Sequence, residues 1–114
     1  MRLLEAQQRF ASLLPRLLSY ASLQGYQVTL GETYRPQETA ELYALQGRGA
    51  SGSLHPLRLA IDLHLFRDGV FLTHTEDHAK IGRFWESLDP LCRWGGRFAR
   101  ADGNHFSFSW GGRA

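Results

Sequence analysis

The sequence predicts a small α+β domain in which helices pack on one face of an antiparallel sheet. Two observations carry this prediction. Apolar side chains recur every three or four residues between positions 3 and 24, which is the period of a helix. Apolar and polar side chains then alternate over 59–66 and again over 105–110, which is typical of half-buried strands. A length of 114 residues fits one domain, spanning 1–114.

The N-terminal half is predicted to hold two helices and a short strand. The first helical pattern ends at Gly25, and Pro15 inside it predicts a kink or two abutting helices. Residues 27–29 follow as a short strand. A second helix begins at Pro36, because proline suits a first turn in which its missing N–H would be unpaired anyway, and it ends at Gly47.

The C-terminal half is predicted to hold most of the sheet. A loop of small residues over 48–53 leads to the strand at 59–66. An Asp-Gly turn signal then predicts a hairpin with a return strand over 70–72. A third helix begins behind a cap at Thr75 and ends before Pro90, and the last strand follows it.

Composition excludes several classes of protein. Hydrophobic residues make up 43% and charged residues 21%, as in globular domains, and no apolar run is long enough to cross a bilayer. The single cysteine, Cys92, excludes a disulfide framework and a cysteine-rich zinc site. The net charge of +2 suits an acidic polymer but falls short of a dedicated nucleic-acid binder. We therefore expect no nucleic-acid partner and no membrane insertion.

Three residues are candidates for a metal site. Asp62 and His105 each stand on the polar face of a predicted strand, so they would line one groove if the strands are neighbours. His55 precedes the first strand, and Pro56 makes a bend that can bring it to the same side. Two imidazoles and one carboxylate leave a fourth position open, as in catalytic zinc sites. The spacing alone is equally compatible with the interpretation that His55, Asp62 and His105 are ordinary surface residues.

Asp102 is the candidate general base. It precedes His105 by three residues, across a Gly-Asn turn. A carboxylate this close to a metal ligand can take a proton from an attacking water and deliver it to the leaving amine. An aspartate beside Gly-Asn is also typical of a plain turn.

Other histidines are weaker candidates. His74 and His78 stand four residues apart, like a helical metal pair. The zinc-protease motif of that spacing needs glutamate directly after the first histidine, and here that residue is Thr75, so we predict that neither is a ligand. His64 shares a strand face with Asp62 and either hydrogen-bonds a ligand or substrate or is a solvated strand residue.

Four segments, in this order along the chain, resemble the zinc-dependent peptidoglycan peptidases of the M15 family. They are Ser53-Leu54-His55, Ala60-Ile61-Asp62-Leu63, Trp94-Gly95-Gly96 and Asp102-Gly103-Asn104-His105-Phe106. The family pattern is S-x-H-x(6)-D, followed by an acid three residues before a His-Phe pair. The family includes D-alanyl-D-alanine peptidases and phage L-alanyl-D-glutamate endolysins. The resemblance implies the fold shared by Hedgehog signalling domains and DD-peptidases, with a zinc groove on the face opposite the helices.

The resemblance also implies the chemistry of the metal site. His55, Asp62 and His105 would be the ligands of Zn²⁺, and Asp102 would be the catalytic acid and base. An aspartate at this last position, rather than a glutamate, resembles the phage endolysin branch of the family.

Three further residues receive roles toward the substrate from the same resemblance. Thr33-Tyr34-Arg35 resembles the upstream arginine segment of the family, so Arg35 would contact a substrate carboxylate or the developing oxyanion. Ser53 would line the site. Arg58 stands where many members have glycine, and we expect it to bind a substrate carboxylate or to narrow the groove.

The function implied by the resemblance is hydrolysis of a bond in the stem peptide of peptidoglycan. We expect an L-alanyl-D-glutamate endopeptidase, as in a phage or prophage endolysin. A D-alanyl-D-alanine carboxypeptidase and a non-catalytic, zinc-containing wall-binding domain are the alternatives, and Asp102 argues against the second. Polar residues interrupt the N-terminal apolar pattern, so we expect no secretory signal. We expect a monomer that is made in the cytoplasm and acts on the cell wall in the periplasm after release.

Overall fold

The computed structural model describes residues 1–49 and 52–114. Part of the predicted 48–53 loop, Ala50 and Ser51, lies outside the described residues. The elements along the described chain are α1 (Leu3–Leu23), β1 (Gln27–Leu30), α2 (Gln37–Leu45), β2 (Ala60–Arg67), β3 (Val70–Leu72), α3 (Ala79–Leu88), β4 (Cys92–Trp94) and β5 (His105–Phe108). The predicted α+β class is confirmed.

The strands form one antiparallel sheet with β2 at its centre. The order is β1-β2-β5-β4, and β3 pairs with the last residues of β2 as the predicted hairpin. The first residues of β2 pair with β5, so that Asp62 stands opposite His105. The two alternating stretches found in the sequence are therefore neighbours in space.

Helices α1 and α3 cover one face of the sheet. The buried side chains of α1 lie at helical spacing, and they are Ala6, Phe10, Leu13, Leu17 and Ala21. They join Trp85 of α3 and the inward side chains of β2 and β5 in a single core. Trp85 is fully buried, and its indole N–H donates to the carbonyl of Ser107 at 3.0 Å, which ties α3 to β5. Burying each such large apolar side chain contributes about 1.5–3 kcal/mol.

Three details of the predicted elements are wrong. The alternative of two abutting helices at Pro15 is wrong, because α1 runs unbroken from Leu3 to Leu23; Pro15 lies on the exposed face, where water can satisfy the carbonyl that the proline leaves unpaired. Thr75 is not a cap: α3 is preceded by a 3-10 turn over Thr75–His78, and the Asp77 carboxylate accepts the backbone N–H of His74 at 3.1 Å. Strand β5 ends at Phe108 rather than at 110, because the chain turns back at the following Gly-Gly pair.

Strand β4 was not predicted from the sequence, because its three residues are too few to show an alternating pattern. Its Cys92 is buried, and burial raises the pKa of this thiol to about 12, so the side chain acts as a small apolar residue.

Among the described residues, no helix is long and apolar enough to cross a bilayer.

Candidate active site

The face of the sheet opposite α1 and α3 carries the candidate metal ligands. Asp62 of β2 and His105 of β5 form a cross-strand pair, and side chains in such pairs lie side by side. The Oδ1 atom of Asp62 is 3.5 Å from Nδ1 of His105. The strand register alone therefore joins two of the three residues.

His55 reaches the pair from a 3-10 turn that precedes β2. The turn spans His55–Leu57 and ends at Arg58, whose left-handed backbone (φ 58°) redirects the chain into the strand. Nδ1 of His55 lies 2.8 Å from the carbonyl oxygen of Thr33. Because a carbonyl can only accept, Nδ1 carries the proton and Nε2 offers its lone pair. That Nε2 atom is 3.5 Å from Oδ1 of Asp62.

The cluster fits a metal ion by its chemistry. One donor atom from each of His55, Asp62 and His105 lies within 4.8 Å of the other two. Oδ1 of Asp62 is buried and accepts no hydrogen bond from any described residue, which is unusual for a buried carboxylate. A cation among the three donors would pair this oxygen. Two imidazole nitrogens and one carboxylate oxygen suit Zn²⁺ with a coordination position left open.

The residues of the cluster shift one another's pKa values. Burial by itself would raise the pKa of Asp62, but the two histidines, whose ring nitrogens lie 3.5 Å from its Oδ1 atom, outweigh it and hold that pKa far below its usual range. Burial likewise opposes the charged form of His55, yet the Asp62 carboxylate and the Thr33 carbonyl raise its pKa above the ordinary 6.5. The carboxylate is therefore ionised near neutral pH and ready to bind a cation.

Asp102 lies beside the cluster on the turn that leads into β5. Its Oδ2 atom is 4.0 Å from Nδ1 of His105, and about half of its side chain is exposed. Burial of the remainder raises the pKa of Asp102; His105 opposes the rise, and the negative charge of Asp62 adds to it. A carboxylate whose pKa is raised is a better general base near neutral pH.

Backbone contacts hold the turn of Asp102 in place. The Asp102 N–H donates to the carbonyl of Gly95 at 2.9 Å, and the Asp102 carbonyl accepts the N–H of His105 at 3.1 Å. A Cβ atom on Gly95 would overlap that Asp102 carbonyl and lie 2.8 Å from Cβ of His105. The indole N–H of Trp94 donates to the carbonyl of Gly103 at 2.7 Å. The Trp-Gly-Gly segment therefore positions the base.

Arg35 lines the same cavity and is held by a partner that the sequence analysis missed. Its Nε donates to Oε1 of Glu32 at 2.7 Å, and its Nη2 contacts the same oxygen. Its guanidinium also lies over the ring of Tyr43, 5.0 Å from the centroid. The signal in the sequence was an acid three residues before the arginine, but many exposed pairs share this spacing.

The cavity in front of the cluster has a volume of about 780 Å³ and is rich in arginine. Ser53 lines it, as the resemblance implied, and its Oγ accepts the backbone N–H of His55 at 3.2 Å. The arginines that line it are Arg35, Arg48, Arg100 and Arg113. The last of these also donates to the carbonyl of Ser53 at 2.7 Å, which connects the C-terminal turn to the residues just before His55.

Other residues singled out from the sequence lie outside the cluster. Arg58 is not among the described residues that line this cavity, and its guanidinium stacks 4.1 Å from the centroid of the Tyr34 ring. Its expected role toward the substrate stays a prediction. His74 and His78 are absent from the three-residue cluster found among the described residues. His64 faces a second, smaller cavity.

Comparison with known proteins adds two findings. A family model described as D-alanyl-D-alanine carboxypeptidase, of the M15 peptidases, matches residues 46–108. The fold is similar to the crystal structure of the Serratia marcescens L-Ala D-Glu endopeptidase ChiX, with a TM-score of 0.67 and 21% sequence identity over 84% of this chain and 77% of that one. No curated protein matches the sequence significantly. The matched range contains the whole three-residue cluster and Asp102, whereas Arg35 precedes it.

Proposed function

The chain belongs to the M15 family of peptidoglycan peptidases, and from this premise we propose that it is a zinc-dependent endopeptidase that cleaves the L-alanyl-D-glutamate bond of the stem peptide. The observation that carries the proposal is the cluster of His55, Asp62 and His105, with the Asp102 carboxylate 4.0 Å from one of its nitrogens. A wall-binding domain without activity would not require this carboxylate.

Each residue of the cluster has a defined task in the proposed reaction. His55, Asp62 and His105 would hold the metal, and the Thr33 carbonyl fixes the tautomer of His55 that a ligand needs. Bound Zn²⁺ supplies Lewis-acid polarisation of the scissile carbonyl and of water. Oδ2 of Asp102 takes the proton of the attacking water and then returns it to the nitrogen of the leaving D-glutamate.

The arginines of the cavity suit the acidic part of the substrate. The stem peptide carries its free carboxylates on D-glutamate and on the residues after it. Arg35 can offer its remaining N–H groups to a carboxylate while Glu32 fixes its orientation. Arg48, Arg100 and Arg113 add positive charge on the same side.

The choice of bond rests on two further points. The aspartate at position 102 resembles the endolysin branch, and the structurally similar protein from Serratia marcescens is described as an L-Ala D-Glu endopeptidase. The alternative is a D-alanyl-D-alanine carboxypeptidase, which is supported by the description of the matching family model. The two activities differ in which bond lies at the cluster.

The test is mass spectrometry of muropeptides after digestion of purified peptidoglycan by the zinc-loaded protein. The proposal predicts new N-terminal D-glutamate and no free D-alanine, and it predicts loss of all products after full removal of the metal. Free D-alanine would establish the alternative, and activity that survives chelation would end the zinc proposal. The Asp102→Asn variant, analysed in parallel, guards against a contaminating hydrolase.

We propose the same biology for release as for phage and prophage endolysins. The monomeric enzyme is made in the cytoplasm and reaches the wall in the periplasm after the membrane is opened. Expression in a bacterial host should leave cells intact until a pore-forming protein or an added export signal lets the enzyme out. Lysis without either would contradict this route.

A further inference from the structure

A second cavity, of about 250 Å³, lies on the far side of Asp102 from the arginines. Ala101, Asp102 and Asn104 line both cavities, so the turn that carries the base forms the wall between them. If the substrate lies across this turn, a bond cleaved beside Asp102 leaves one product on each side. The second cavity is therefore placed to receive the part of the substrate that precedes the scissile bond.

The two cavities differ in chemistry. Four arginines line the first, whereas no arginine or lysine of the described chain lines the second. The second cavity is lined instead by an aromatic ring, Phe71, and by neutral polar side chains, among them Thr73, Thr75 and Asn104. One aromatic ring among uncharged hydrogen-bonding side chains suits a ligand that is neutral and carries polar groups.

Phe71 provides an exposed ring at the edge of this cavity. The strand face that presents Asp62 continues to His64 and Phe66, and Phe71 of β3 pairs with Phe66. The ring of Phe71 lies 5.1 Å from that of Phe66 and 5.7 Å from that of His64, so two neighbours support it. It nevertheless remains 49% exposed, which leaves a surface on which a ligand ring can lie.

His78 provides a hydrogen-bond acceptor at the same cavity. The residue is only 3% exposed, and its Nδ1 lies 2.9 Å from the carbonyl oxygen of His74. The carbonyl can only accept, so Nδ1 carries the proton of the neutral ring and Nε2 is left as an acceptor. A buried imidazole fixed in this tautomer suits a ligand that carries hydroxyl or amide N–H groups.

We propose that the second cavity binds the N-acylated amino sugar to which the stem peptide is attached. The inference rests on the proposed function, because it requires cleavage of the first peptide bond of the stem. The sugar is neutral, has an apolar ring face, and carries hydroxyl and amide groups. The D-glutamate side carries the carboxylates. The substrate is thus complementary to the two cavities, because its neutral sugar would face the cavity without arginines and its carboxylates would face the arginines.

The distance between the sugar and the scissile bond agrees with a substrate whose sugar lies in the second cavity. One alanine and a lactyl group separate the sugar from the L-alanyl-D-glutamate bond, which is about two residue lengths, or ~7 Å, in an extended chain. The terminal D-alanyl-D-alanine bond lies about three residues farther, at ~17 Å. A cavity that adjoins the base can therefore bind the sugar only if the first of these bonds is the one cleaved.

The experiment compares two ligands that differ by the sugar alone. The dissociation constants of N-acetylmuramyl-L-alanine and of N-acetyl-L-alanine are measured by calorimetry on the zinc-loaded protein. We expect the sugar to improve binding by about tenfold or more, and Phe71→Ala to remove most of this gain. Phe71→Trp, which keeps a ring, should retain it. Val70→Ala is the matched control, because this exposed neighbour points to the other face of β3.

Turnover separates this inference from the proposed function. With a muramyl pentapeptide and an N-acetylated pentapeptide as substrates, the wild-type protein should show at least a tenfold higher kcat/KM for the first, since remote contacts contribute to the transition state. Cleavage of both substrates at equal rates would overturn the sugar site and leave the endopeptidase standing. Cleavage of neither substrate would overturn the proposed function, and with it the sugar site that rests on that function. If Phe71→Ala and Val70→Ala lost the same fraction of the gain in affinity that the sugar provides, the inference would also be overturned.

Discussion

Asp62 and His105 stand on paired strands, whereas His55, Asp102 and Arg35 approach the same cavity from turns and loops. The strand pair is set by register, and shifting it would turn every apolar side chain of β5 out of the core. Each loop residue depends instead on one or two contacts of its own. The sheet therefore fixes where the site is, and the loops determine how well it is assembled.

The contacts of the loop residues are specific and few. His55 is oriented by the Thr33 carbonyl, Arg35 by the Glu32 carboxylate, and Asp102 by the backbone of Gly95. None of these three supports is itself a metal ligand or a general base. Changes to the three metal ligands should accordingly cost the metal, whereas changes to Asp102, to Arg35 and to their supports should lower the rate.

The largest effect is expected from the strand pair. His105→Ala removes one of three donors, and zinc affinity should fall by more than ~100-fold with no measurable turnover. The sheet should keep its register, because Phe106 and Phe108 remain in the core. Zinc titration and far-ultraviolet circular dichroism test both statements. His74→Ala, an exposed histidine outside the cluster, should bind zinc normally, and tight binding by His105→Ala would show that the ligands are misassigned.

Asp102→Asn should lower the rate and leave the metal in place. The amide keeps the size of the side chain but cannot take a proton, so kcat should fall by roughly 10²–10⁴-fold. Zinc content and melting temperature should stay near those of the wild type, since the turn is held by backbone bonds. All three quantities are measured on one preparation. Loss of zinc would make Asp102 a ligand, and normal turnover would assign the base to another group.

Variants of Arg35 and Glu32 test whether the orientation of the Arg35 guanidinium matters for activity in addition to its charge. Arg35→Lys keeps the positive charge but loses the planar fork, and kcat/KM should fall by about 10- to 100-fold. Glu32→Gln leaves the arginine intact and weakens only its support, so a smaller loss of about threefold to tenfold is expected. Both variants should fold, because Arg35 and Glu32 lie outside the apolar core. Equal kcat/KM values for the wild type, Arg35→Lys and Glu32→Gln would show that Arg35 has no role toward the substrate.

The smallest effect on activity is expected at Gly95. An added methyl group would overlap the Asp102 carbonyl, and the turn must shift to relieve it. We expect a loss of about 1–3 kcal/mol in unfolding free energy, as in other overpacked sites, with reduced kcat and retained zinc. Gly69→Ala is the control: its φ of 78° makes the substitution costly by about 1 kcal/mol, but nothing lies within 4 Å and activity should not change. Loss of zinc in Gly95→Ala would mean that the strand pair moves with the loop.

The contrast between the paired strands and the loops explains which parts of the site could be predicted from the sequence. Alternation of apolar and polar residues identified β2 and β5, and a period of two necessarily places Asp62 and His105 on the faces opposite the core. The bend at Pro56 allowed His55 to join them. These inferences needed no long-range information other than the pairing of two strands.

What the sequence could not predict depends on contacts between distant loops. The stacking of Arg58 on Tyr34 follows from a left-handed backbone at a residue other than glycine, and no pattern in the sequence signals it. The support of Arg35 by Glu32 has a spacing too common to be informative. The second cavity joins β3 to the Asp102 turn, about 30 residues apart, and becomes visible only in three dimensions.

The central claim is that one metal ion binds at the meeting point of the strand pair and the first loop. The most direct test is a crystal structure of the zinc-loaded protein with anomalous data collected on both sides of the zinc absorption edge. We predict one strong peak about 2.0–2.2 Å from Nε2 of His55, Oδ1 of Asp62 and Nδ1 of His105, with Asp102 outside the coordination sphere. A peak bound by Asp102, or one located away from these three atoms, would contradict the account.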